Sequence, residues 1–219
     1  MLCEVKSAIC EIIIVVGYHA EDIVKYLGNN YKGVPIKYVV QEKRLGIAHA
    51  VKTARDLIND DFILCLADEI LINNRIKQMI CEFNKTNNVM CMCGAIFDKS
   101  DKSMKPIAYD LDENGRIAQV REKPEYYSND IRGIGECIFT KAALDQLDYL
   151  QPNLKRGEYE MGDWIQLLIQ TGGNVEVKID RETGEYQVFS TREVKEEQYM
   201  SNMLDNLKAN DLKSFKNYL

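Results

Sequence analysis

An α/β fold, with a mixed and mostly parallel sheet flanked by helices and a small antiparallel β lobe, is predicted by three observations. The first two thirds of the chain alternate strand-type apolar runs with helix-type spacing. One such run, Phe62 to Ala67, leads straight into Asp68-Glu69. After residue 100 the pattern changes to short pieces around an Asn-Gly turn, which signals hairpins.

Taken in order, Glu11 to Gly17 reads as a buried strand and residues 20 to 28 as a helix with Ile23, Val24 and Leu27 on one face. Ile36 to Gln41 is a second strand. Gly46 to Ile58 follows as a helix with Ile47, Ala50, Val51, Ala54 and Leu57 aligned. The Phe62 run is continuous rather than alternating, so it is expected to be buried on both faces, as in a parallel sheet. A helix over residues 74 to 86 and a strand from Val89 to Phe97 complete the alternation, which implies right-handed crossovers.

Ile107 to Leu111 and Arg116 to Val120 flank Asp112-Glu-Asn-Gly115 and make the hairpin. Gly133 to Thr140 is a strand, Lys141 to Leu150 a helix, and Glu160 to Gln170 a helix carrying the single tryptophan, Trp164. Val175 to Ile179 and Glu185 to Phe189 are late strands. From Thr191 to about residue 215 the spacing predicts a mostly polar helix. No repeat or Pro/Ser/Gly linker interrupts the chain, so residues 1–195 are expected to form one α/β domain and 196–219 a helical tail.

Composition narrows the function classes. With 219 residues, 46% hydrophobic and 28% charged, the chain has enough apolar material for a proper core. A net charge of −6 with both signs interspersed argues against a nucleic-acid or membrane-surface binder and leaves small-molecule chemistry as the expectation. No stretch approaches 18 apolar residues and no signal-peptide pattern opens the chain, so a cytoplasmic location is expected. Of seven cysteines, Cys10, Cys65, Cys91, Cys93 and Cys137 lie in or beside apolar runs and read as core. Cys91 and Cys93 share a strand face, but no second pair or nearby histidine completes a zinc site. His19 reads as part of an ordinary strand-to-helix turn, and His49 lies off the apolar face of its helix, as a solvated residue would.

Ligands of open α/β sheets sit beyond the carboxyl ends of strands, where Asp68 could hold a divalent metal. On position alone, a loop-capping role for Asp68 is the simpler reading. Gly46 taken alone fits a strand-to-helix turn, and Glu122-Lys123 a surface ion pair before a proline.

Four segments in order change the weighting: Gln41 to Val51 (QEKRLGIAHAV), Leu66-Ala-Asp-Glu-Ile70, Leu111 to Pro124 (LDENGRIAQVREKP) and Gly157-Glu-Tyr-Glu-Met-Gly-Asp163. Together they resemble the sugar-1-phosphate nucleotidyltransferases, the glucose-1-phosphate thymidylyl- and uridylyltransferase family, from about residue 5 to about residue 195. The resemblance implies the Rossmann-like fold of nucleotide-diphospho-sugar transferases, and an enzyme that joins a nucleoside triphosphate and a sugar 1-phosphate with release of pyrophosphate.

It further implies that Gln41 and Gly46 meet the base, that Asp68 binds Mg²⁺, and that Glu122 accepts from sugar hydroxyls. Lys123 then faces the sugar phosphate as a catalytic cation, Gly133 and Gly135 let backbone approach the sugar, and Glu160 and Asp163 match the ends of E-[IL]-T-D. Three departures oppose full activity. The family's opening strand and glycine-rich G-x-G-T-R loop have no counterpart here. Val188 stands where the late W-x-D-x-G-T motif has its second metal-binding aspartate. Lys105-Pro106 replaces Tyr-Gly, and Gly162 replaces the motif threonine. The expectation is an impaired enzyme, or a non-catalytic binding or regulatory subunit. An apolar flank would be left for an oligomer partner or a missing N-terminal segment to cover.

Overall fold

The computed structural model describes residues 9–67, 69–71, 76–96, 107–114, 116–126, 128–179 and 188–190. The predicted C-terminal helix lies outside them, as does Asp68. The architecture is a mixed α/β fold, and no helix among the described residues is long and apolar enough to cross a membrane.

The first described strand is β1 (Ile12–Val16), five β-branched residues suited to a pleated, packed surface. After β1 the chain turns through His19 at φ 61° into α1 (Ala20–Leu27), which buries none of its residues. His19 there pairs with Asp22 at 3.0 Å in solvent, in keeping with a simple turn. A two-residue strand, β2 (Asn30–Tyr31), not expected from the sequence, turns back through Gly33 into β3 (Val34–Val40). The register runs in parallel from Ile12 opposite Ile36 to Val16 opposite Val40, as the strand-helix-strand pattern requires.

Next come α2 (Ile47–Ala54), whose Ala48, Val51 and Ala54 are buried, and a 3₁₀ turn, Arg55–Leu57. The Phe62 run differs from expectation. Its strand, β4, is confined to Phe62–Leu64, is half-buried, and pairs antiparallel with β9 (Ile131–Phe139). Cys65 is exposed, as is Cys10, whereas Cys137 is fully buried, so the reading of the cysteines as core holds for Cys137 and fails for these two. A three-residue strand, β5 (Glu69–Leu71), and α3 (Ile76–Phe83) follow.

The central sheet is built on β6 (Met90–Ile96), with β9 antiparallel on one side and β10 (Val175–Ile179) parallel on the other. The predicted hairpin is β7 (Ala108–Leu111) and β8 (Ile117–Arg121). Its turn is held by the Asp112 carboxylate, which accepts from the Asn114 and Arg116 backbone N–H groups at 2.9 and 2.8 Å. The last described strand, β11 (Val188–Ser190), runs antiparallel to β5 with Val188 opposite Leu71 and Ser190 opposite Glu69. Among the described residues the strand edges of β1 and β4 are each paired on one side only.

The core sits between this sheet, α2 and α4 (Met161–Gln170). Along α4, Met161, Trp164, Ile165 and Leu168 recur at helical spacing and are all buried. Trp164 stacks on Phe139 with ring centroids 4.3 Å apart and donates its indole N–H to the Ala143 carbonyl at 3.1 Å. Burying side chains of this size contributes roughly 1.5–3 kcal/mol each.

Lys141–Asp148, expected to be α-helical, forms a 3₁₀ helix instead. In that geometry residues three apart eclipse, so Asp145 and Asp148 both face Arg55, at 3.0 and 2.6 Å.

Candidate active site

Gln41 continues the parallel pairing past β3, its N–H donating to Val16 O at 2.8 Å. Its side chain then turns toward the loop that precedes α2: Nε2 donates to the Gly46 carbonyl at 3.2 Å and lies 2.8 Å from His49 Nδ1. Gly46 has φ 101° and ψ 173°, a conformation open in practice only to glycine. A Cβ there would lie 2.5 Å from the Tyr159 carbonyl oxygen, so glycine is also required by close approach of two backbones. Tyr159 N–H donates to Leu45 O at 2.6 Å and Ala48 N–H to Tyr159 O at 3.2 Å. The Gln41–His49 loop is therefore tied to the segment that starts α4.

The same segment reaches the Glu122-Lys123-Pro124 tripeptide. Gly162 N–H donates to Glu122 Oε2 at 3.1 Å, across forty residues of sequence. A Cβ on Gly162 would lie 2.8 Å from that oxygen and 3.2 Å from Glu122 Cβ. Glycine in place of the motif threonine thus has a physical reason: it lets the carboxylate dock on the first turn of α4. Glu160 is buried, held by the Arg156 guanidinium and by Asn153 Nδ2 at 3.3 Å.

Burial pushes the Glu122 carboxyl above the usual carboxylate range and the nearby Glu160 charge adds to this. The Gly162 N–H, Lys123 and Arg156 oppose it. Lys123 is exposed, with its backbone in the left-handed region at φ 43°. Glu122, Lys123, Asp163, Arg156, Asn153 and Gln166 line one open cavity of about 770 Å³, within the usual range for small-molecule sites.

Gly133 and Gly135 lie on β9. Gly133 donates its N–H to Ile107 O at 2.8 Å, and a Cβ at Gly133 would meet the Tyr109 hydroxyl at 2.0 Å. The missing side chain at Gly133 therefore makes room for Tyr109, a fully buried tyrosine whose pKa is raised chiefly by burial, with smaller contributions from Cys137 and Glu122. Asp68 falls outside the described residues, and among those described no three His, Cys, Asp or Glu side chains gather as metal ligands. The described donors alone do not compose a Mg²⁺ site. Val188, expected from the resemblance to stand where the family has a metal-binding aspartate, has its backbone paired with the strand that follows Asp68.

Of the residues singled out in the sequence, Gln41 and Gly46 come together where the loop before α2 meets Tyr159, Glu122, Lys123 and Asp163 line one cavity, and Glu160 is buried at the N-cap of α4. His49, Arg156, Tyr159 and Tyr109 were not among them. His49 is half-buried and bonded to Gln41 rather than solvated. Helical periodicity could not reveal this, because its partner precedes the helix.

Comparison with known proteins adds to the geometry. Residues 2–189 match the family model described as nucleotidyl transferase. The chain is 32% identical over 171 residues to the UTP–glucose-1-phosphate uridylyltransferase AglF of Haloferax volcanii, covering 78% of this chain and 69% of AglF. It is 29% identical over 172 residues to a glucose-1-phosphate thymidylyltransferase of Streptomyces antibioticus, covering 78% of this chain but only 47% of that relative. A solved structure of UDP-glucose pyrophosphorylase complexed with UDP-glucose superposes with a TM-score of 0.68 at 22% identity, over 85% of this chain and 76% of the other, a likeness of fold.

Proposed function

Because the chain belongs to the nucleotidyl transferase family, we propose that its site binds a nucleoside triphosphate and a hexose 1-phosphate and serves nucleotidyl transfer. A sugar-phosphate oxygen attacks the α-phosphorus, a nucleoside diphosphate sugar forms, and pyrophosphate leaves. The observation that carries this reading is the Glu122–Gly162 hydrogen bond, which joins two motifs distant in sequence and holds Glu122 beside the cavity that Lys123 and Asp163 also line.

In this reading Gln41 and Gly46 meet the base and Glu122 accepts from the sugar hydroxyls. Lys123 faces the sugar phosphate and offsets its charge. Gly133 and Gly135 bring backbone to the sugar, and Glu160 and Asp163 order the α4 end of the site. Mg²⁺ is the proposed cofactor, with Asp68 its protein ligand, and when bound it would neutralise phosphate charge. A cytoplasmic setting belongs to the same proposal. So does a partner, either a second copy or an N-terminal segment, against the one-sided edges of β1 and β4.

Val188 favours a second reading, in which the chain binds sugar nucleotide without turning it over, because a valine cannot ligate Mg²⁺ where the family has an aspartate. Calorimetry with UDP-glucose and dTDP-glucose, run beside an assay for pyrophosphate release from UTP or dTTP and glucose 1-phosphate, separates the two. Weak or no turnover with measurable sugar-nucleotide binding is expected. Robust Mg²⁺-dependent turnover would remove the second reading, and absence of both binding and turnover would remove both.

A further inference from the structure

Residues 122–126 and 128, between β8 and β9, belong to no helix or strand, so no regular backbone ladder holds the segment that carries Lys123. Lys123 nevertheless has φ 43°, a left-handed conformation that side chains disfavour, and it precedes Pro124, which by itself favours an extended backbone. Such a conformation persists only where its surroundings impose it. On one side of Lys123, Glu122 is held by the Gly162 N–H. On the other side the hold comes from Arg121, the last residue of β8. Its Nη1 donates to the Tyr126 carbonyl at 3.3 Å, and its Nη2 to Ser128 Oγ at 2.6 Å and to Asp110 Oδ1 of β7 at 3.1 Å. Ser128 Oγ donates to the same Asp110 oxygen, and the guanidinium lies 5.6 Å from the centre of the Tyr126 ring. Asn129 ties the chain to β7 only beyond this point, through Nδ2 to Tyr109 O at 2.5 Å.

We propose that Arg121 is a positioning residue: by pinning Tyr126 and Ser128 to β7 it closes the loop that begins at Glu122 and holds Lys123 in its left-handed conformation beside the cavity. The consequence for binding rests on the reading of Lys123 as the cation that faces the sugar phosphate. A phosphate gains most from a lysine whose backbone is already fixed, because a long side chain on a loose loop must lose its freedom on binding. A guanidinium suits this task, since one planar fork serves a carboxylate, a hydroxyl and a carbonyl at once. Without it, the strain at Lys123 is released by a return to extended backbone, and the ammonium is no longer held at the cavity.

Two measurements test this. A positive φ brings a residue's own amide and α protons close together, so ¹⁵N-labelled protein without ligand is expected to show a strong through-space cross-peak between them at Lys123. Arg121→Met, which keeps the stem but no donor, is expected to weaken that cross-peak to the level of an extended residue. Arg121→Lys, which keeps the charge but not the fork, is expected to do the same, and it carries both measurements should Arg121→Met not fold. In calorimetry each variant is expected to bind UDP-glucose about tenfold more weakly, but to change affinity by less than about twofold where Lys123 is already alanine. An unchanged cross-peak, full affinity in Arg121→Lys, or an equal loss in the Lys123→Ala background would overturn the proposal. If the unsubstituted protein does not bind UDP-glucose, the assignment of Lys123 to a sugar phosphate fails and the consequence for binding falls with it, while the cross-peak alone decides whether Arg121 holds the loop.

Discussion

Replacing Gly46 by alanine should be among the most costly single substitutions in the loop that joins β3 to α2. Two separate effects add. A non-glycine residue held at φ 101° and ψ 173° costs roughly 1–3 kcal/mol. The added Cβ would also sit 2.5 Å from the Tyr159 carbonyl oxygen, a backbone atom that cannot rotate away. Relieving that clash moves Tyr159 and weakens two hydrogen bonds, Tyr159 N–H to Leu45 O and Ala48 N–H to Tyr159 O, each contributing about 0.5–1.5 kcal/mol. The total is about 2–6 kcal/mol. Gly157 is the control. It also has positive φ, 68°, but nothing lies within 4 Å of the Cβ it would gain, so Gly157→Ala should cost about 1 kcal/mol. Urea denaturation of both variants reads the difference. A Gly46→Ala loss no larger than that of Gly157→Ala would refute the close-approach argument and the tie between the two halves of the site.

Trp164→Ala should cost about 3–5 kcal/mol in the same assay, because it empties the space against Phe139 and removes the indole N–H donated to the Ala143 carbonyl. Arg156→Ala removes the main partner of the buried Glu160, and since the arginine is partly exposed the loss should be about 1–2 kcal/mol, with Arg156→Ala/Glu160→Gln recovering most of it. Glu122 supplies a pH test. Its carboxyl is raised in the folded protein by burial and then by Glu160. Its contribution to stability is therefore full below the pKa of an unfolded glutamate and is lost as pH rises through the elevated folded value. In the proposed role the ionised carboxylate accepts from sugar hydroxyls more strongly than the acid does, so UDP-glucose affinity measured by calorimetry should fall on acidification with a midpoint above the ordinary glutamate range. Glu122→Gln should bind more weakly and show no such transition.

The local signals in the sequence were strong where packing is periodic. The β-branched run of β1, the alternation that makes β1 and β3 parallel neighbours, and the buried stripe of α4 all follow from residue spacing. The hairpin was legible from Asn114-Gly115, although Asp112 supplies the hydrogen bonds that hold its turn. Non-local choices were not legible. Phe62–Leu64 pairs antiparallel with β9, a partner some seventy-five residues away in register, and an apolar run carries no record of strand direction. Nor does the apolar spacing of Lys141–Asp148 separate a 3₁₀ from an α-helix, and the ion pairs of Asp145 and Asp148 with Arg55 join it to another element. Cys10 and Cys65 sit beside apolar runs yet face solvent, because each lies just past a strand end.

The candidate site follows the same division. Motif order identified Gln41, Gly46, Glu122, Lys123, Glu160 and Asp163, and the structure ties them through Tyr159 and Gly162. Gly162 looked like a defect in the motif; in three dimensions it is the contact that Glu122 needs. The contact of His49 with Gln41 is not legible in helical spacing, because it is a hydrogen bond to a residue eight positions earlier rather than a matter of helix face.

The central claim is that the Gln41–His49 loop, the Glu122-Lys123 pair and the start of α4 form one sugar-nucleotide site. Its most direct test is the mapping of backbone amide shifts in ¹⁵N-labelled protein titrated with UDP-glucose. Saturable changes are predicted at Gly46, Glu122, Lys123, Gly162 and Asp163. Changes confined to the unrelated cavity beside Arg55, Asn59 and Lys141, or no changes at any concentration, would contradict the account.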